Sequence, residues 1–180
     1  MIDYNRLIHF VKPYYEKKDI MHDLTHIDRM IRSANQLLKF YPEITDHDLI
    51  KYGCYFHGFI YLDEERIRSF LEEEGLPEEY IDKIVKVSWE SQKEEVPQTL
   101  EGKLLHDAHM IEGGKTYLIV KSLCTGTARG QSLEQTLEYF EQHVLGKGKC
   151  YLPEAQIVYD EMQQFAEQFI RDLRAGLEEV

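Results

Sequence analysis

Residues 22–40 read HDLTHIDRMIRSANQLLKF. Ile27, Met30, Ile31, Ala34, Leu37 and Leu38 recur at intervals of three and four, which puts them on one face of a long helix. The stripe stops at Tyr41-Pro42, because the residue before a proline is pushed out of the helical region. His22 and His26 lie four apart and share a face wherever the helix includes both.

The same period recurs on either side of this segment. Leu7, Ile8, Phe10, Val11, Tyr14 and Tyr15 predict a helix over residues 3–18 that Pro13 bends or ends. Thr45 or Asp46 can cap a helix running through Leu49, Ile50, Gly53 and Cys54 to His57. Residues 63–74 predict a short charged helix closed by Gly75, and Leu76-Pro77 opens another through Ile81, Ile84, Val85 and Val87 to Trp89. Pro97 breaks the chain and Thr99 restarts it, with Leu100, Leu104, Leu105 and Ala108 on one side. Gly113-Gly114 marks a joint, and 117–123 is too short to assign by period. Residues 125–131 read as a polar loop. Ser132 caps a helix to Leu145, and Pro153 opens a last one to about Ala175. Period-two alternation is scarce, so the expectation is all-α, with residues 1–180 as one domain.

Composition narrows the function classes. The chain has 180 residues, enough to bury ~70% of its unfolded surface. With 21 Lys+Arg against 33 Asp+Glu, its net charge is −12, which argues against sequence-independent binding to nucleic acid or to an anionic membrane. Cys54, Cys124 and Cys150 are widely spaced with no CxxC pair, as in proteins of a reducing compartment, and a cytoplasmic location is expected. Apolar runs fall far short of the ~20 residues of a transmembrane helix. The acidic runs at 72–74 and 94–95 read as solvated faces, and Trp89 as a core anchor.

Chemistry concentrates in the histidines. His57 ends an apolar helix in LIKYGCYFHGF, and His106 and His109 flank Asp107 in EGKLLHDAHMIEGG. Apolar stripes that carry His and Asp suggest a polar cluster between packed helices, where bundles build metal sites. Asp23 stands where the HExxH zinc motif has Glu, so that motif is not matched. His26, then His57 after 31 residues, then Asp107 after another 50, with 88–91 (SWES), 97–101 and a long closing helix, resembles the HD-domain superfamily of metal-dependent phosphohydrolases. The resemblance covers most of the chain and implies a compact multi-helix bundle around one cleft.

It also exposes a departure. Where the family has adjacent His-Asp, this chain has His57-Gly58, and glycine offers no carboxylate. His109 stands where some relatives carry a second Asp. By the resemblance, His26, His57 and Asp107 form a two-His, one-carboxylate set for a divalent ion (Mn, Fe, Ni, Zn, Co or Mg), with the ligand types of a facial triad. Glu90 is expected to turn inward and replace the missing carboxylate. It serves there as a fourth ligand and, like Asp107, as a catalytic group; Asp23 is an alternative proton acceptor. Arg29, Lys103 and Lys115 are candidates to neutralise phosphate. The implied activity is hydrolysis of a small phosphorylated metabolite or nucleotide. The alternative is a degenerate binding or regulatory protein.

Overall fold

The computed structural model describes residues 2–178; residues 1, 179 and 180 of the expected domain lie outside it. The described residues form nine α-helices and no strand: α1 (Tyr4–Tyr15), α2 (Leu24–Leu37), α3 (His47–His57), α4 (Ile60–Glu73), α5 (Glu78–Glu90), α6 (Leu100–Met110), α7 (Gly114–Ala128), α8 (Leu133–His143) and α9 (Pro153–Glu178). A single 3-10 turn, Leu38–Phe40, extends α2 to the point where Pro42 ends it. None of these helices is long and apolar enough to cross a membrane.

Side chains that satisfy orphan N–H groups set several starts. Asp46 accepts from Leu49 N and Thr99 from Gly102 N, while Ser132 and Gln135 form a reciprocal capping box. Asp23 accepts from Thr25 N and starts α2 one residue later. His22 therefore lies before the helix, and the shared helical face expected for His22 and His26 does not form. Residues 125–128, expected in a loop, are the last turn of α7.

The main core lies among α1–α6, with Phe56, Phe59, Ile60, Ile67, Ile84 and Leu104 fully buried. α6 packs against both α2 and α5, and α3 packs against both α2 and α5. A smaller core of Ile119, Leu137, Phe140, Ala166 and Ile170 joins α7, α8 and α9. Trp89 is half-buried at the margin of the main core, and its indole N–H donates to Glu64 at 2.7 Å.

Candidate functional site

Three helices deliver three imidazoles to one point. His26 comes from the first turn of α2, His57 from the last residue of α3 and His109 from the last turn of α6. One ring nitrogen of each lies within 4.8 Å of the other two. The ring centroids are 4.3 Å apart for His57–His109, 5.5 Å for His26–His109 and 5.7 Å for His26–His57.

Each ring has a different support. The Ser91 hydroxyl donates to the Ser88 carbonyl at 2.6 Å, so its oxygen accepts from His57 Nδ1, 2.8 Å away. That leaves His57 with its lone pair on Nε2. His26 Nδ1 sits 2.8 Å from Glu112 Oε2, with the contact bent away from the ring N–H direction. Glu112, on the turn between α6 and α7, also takes Arg29 Nε at 2.7 Å and Lys121 Nζ at 2.8 Å. His109 Nδ1 is buried with no hydrogen-bond partner.

Burial disfavours the imidazolium form of all three rings. It holds His57 and His109 well below the ordinary histidine value, helped by their mutual repulsion and that of His26. His26 is also lowered by burial, although Glu112 pulls the other way. Burial raises the Glu112 carboxyl, but its bonds to His26 and Lys121 bring it down to about 2. At neutral pH the group is three uncharged imidazoles with a carboxylate behind one of them.

Beside the cluster lies an open cleft of about 370 Å³. Its wall includes His109, His22, Lys93, Lys121, Arg129 and Gln163, so His109 belongs to both the cluster and the cleft. His22 Nδ1 lies 2.9 Å from each carboxylate oxygen of Asp19. Burial, then Lys121, hold His22 below the ordinary value against the pull of Asp19. The ring is neutral, with Nδ1–H on Asp19 and Nε2 free to accept a proton.

The expected site residues divide. His26 and His57 meet; Asp107 and Glu90 do not join them. Asp107 is fully buried and accepts from the backbone N–H groups of Tyr151 and Leu152 at 2.8 and 2.6 Å and contacts His106 Nδ1 at 2.9 Å. It ties α6 to the start of α9. Glu90 is buried against the start of α6, where it accepts from Gln98 N at 3.2 Å and from the Thr99 hydroxyl. His109 lies further along that helix, ~10 Å of rise beyond Gly102, against which the Glu90 side chain packs. Arg29 holds Glu112, Thr25 Oγ1 and the Met21 carbonyl, and its guanidinium lies 4.7 Å from the Tyr117 ring centroid. It positions the site from behind. Lys103 lies outside the cleft lining, and Lys115 is exposed with its ammonium over Phe165. The cations that line the cleft are Lys93, Lys121 and Arg129. One signal in the chain points to Glu112: it follows His109 by three residues at the end of an apolar helix.

Solved structures share this fold over nearly the whole chain. An HD-superfamily hydrolase from Bacillus thuringiensis superposes with a TM-score of 0.74 at 21% identity, covering 97% of this chain and 96% of that one. The fold is that of the HD domain. YpgQ from Bacillus subtilis, in complex with ADP, gives 0.75 at 18% identity and 97% of both chains. Lin1889 from Listeria innocua gives 0.71 at 21% identity and 99% of both. No protein-family model and no curated protein sequence matches the chain. HD-domain folds typically use a metal ion. The residues present fit one: three neutral imidazoles converge, and a buried His109 nitrogen has no other partner.

Proposed function

We propose that the protein is a metal-dependent phosphohydrolase acting on a small phosphorylated metabolite or nucleotide in the cleft beside His109. The observation that carries this reading is a cluster of three imidazoles whose half-buried member, His109, forms part of the wall of a cleft lined by Lys93, Lys121 and Arg129. ADP bound to YpgQ, of the same fold, adds support for the ligand class.

His26, His57 and His109 would hold the metal ion, which when bound supplies an acidified water and charge stabilisation at a phosphoryl oxygen. The chain's own groups do the rest. Arg129 and Lys121 neutralise phosphate charge, as cations do in phosphate sites generally. Lys121 and Arg29 also keep Glu112 ionised against His26. His22, oriented by Asp19, is the group assigned to proton transfer through Nε2. The test is a panel of nucleotides and sugar phosphates assayed with each of Mn²⁺, Co²⁺, Ni²⁺, Zn²⁺, Fe²⁺ and Mg²⁺. His22→Asn should lower kcat by about tenfold to a hundredfold with little change in KM, while Arg129→Glu should raise KM. No turnover under any condition sinks this reading.

One observation favours a second reading, a binding protein without turnover. Among the described residues no carboxylate offers a ligand oxygen to the point where the three histidine nitrogens converge. Nucleotide binding by calorimetry without hydrolysis would select it.

A further inference from the structure

The room beside His57 is filled. Gly58 has ordinary helical angles, φ −72 and ψ −8, so its backbone does not require glycine. Its surroundings do: a Cβ there would lie 2.6 Å from the Tyr15 hydroxyl and 2.7 Å from the ring carbon Cε1. Tyr15 is itself fixed, accepting from Gly58 N at 3.1 Å and donating to the Tyr55 carbonyl at 2.8 Å. The Gly58 carbonyl takes Lys18 Nζ at 2.5 Å. No side chain can leave position 58 unless a fully buried tyrosine moves.

The charge around the cluster points the same way. The three imidazoles carry none, and Glu112, the carboxylate on His26, is already matched by Arg29 and Lys121. A 2+ ion entering here gains nitrogen donors but no uncompensated negative charge. Mg²⁺ and Mn²⁺ depend on oxygen ligands and their charge, whereas Zn²⁺ and Co²⁺ bond well to neutral imidazole.

We propose that this centre is an all-imidazole site selective for nitrogen-preferring ions of the Zn²⁺ and Co²⁺ type, with Tyr15 excluding a carboxylate from position 58. The inference rests on the reading that the cluster holds a metal ion. Its readouts involve no turnover, so a chain that binds Zn²⁺ and hydrolyses nothing upholds it while sinking the phosphohydrolase. The experiment titrates the full chain, stripped with chelator, with Zn²⁺, Co²⁺, Mn²⁺ and Mg²⁺ singly, by calorimetry and by the visible absorption of Co²⁺. Expected are one Zn²⁺ or Co²⁺ per chain, bound roughly a hundredfold more tightly than Mn²⁺, and no Mg²⁺ binding. His109→Gln should lose the ion while keeping its thermal transition. His109→Asp should move the Mn²⁺-to-Zn²⁺ preference toward Mn²⁺ by about tenfold. Gly58→Asp should lower Tm and gain no Mn²⁺ affinity. Mn²⁺ binding as tight as Zn²⁺, unaltered binding in His109→Gln, or a Mn²⁺ site created by Gly58→Asp overturns the proposal.

Discussion

Asp107 is a carboxylate with no exposed surface, and every bond it makes is to the scaffold. Asp107→Asn removes the charge and leaves one oxygen to face two backbone N–H groups, with the amide set against the Tyr151 N–H. Its cost should be about 3 kcal/mol, read by denaturant unfolding, with metal stoichiometry unchanged. Loss of the metal at unchanged stability would return Asp107 to the site. The three clustered histidines set a pH dependence opposite in sign to that of a histidine held charged in an ion pair. Their folded values are depressed, so below about 6.5 the unfolded chain binds protons that the folded chain does not. Their stability contribution is present above that pH and is lost as pH falls, by up to about 1.4 kcal/mol per unit for each ring. Tm measured in chelator should therefore drop between pH 7.5 and 5.5, and His57→Gln should flatten the slope. A pH-independent Tm in the parent protein excludes neutral buried rings. His26 and His57 were legible because each stands on or ends an apolar stripe. Asp107 stands apart from the cluster because it sits two positions from His109, about 200° around the helix and hence on another face.

At the scale of elements, the junction of α5 with α6 depends on a residue with no side chain. Glu90 lies against Gly102, where a Cβ would come within 2.7 Å of the Glu90 Cβ and closer still to its carboxylate. Gly102→Ala gains helix propensity but must displace Glu90 from Thr99. We expect net destabilisation of about 2 kcal/mol. A rise in Tm would show that Glu90 is free to move. The caps at Asp46, Thr99 and Ser132 were legible because their chemistry is local. The last turn of α7 was not, since Thr125, Gly126 and Thr127 are poor helix formers. Packing holds that turn, with Gly126 buried against Thr136 of α8. This is also why Arg129 reaches the cleft: the helix carries on to deliver it.

Across the whole molecule, a net charge of −12 coexists with a cleft that presents Lys93, Lys121 and Arg129. The long-range field repels polyanions, while the local cations are within a Debye length, about 10 Å at 0.1 M salt, of a small phosphate in the cleft. Nucleoside phosphate binding should weaken as salt rises, and a DNA duplex should not bind measurably in electrophoretic shifts even at low salt. Tight duplex binding would contradict the charge argument. Trp89 gives the molecule one more property. It is the sole tryptophan, its indole is held by Glu64, and two residues on, Ser91 holds His57. The chain thus has a single intrinsic fluorophore on the backbone segment that supports one of the three rings. A change in its emission as the cluster is loaded is traceable to one position, with no label attached.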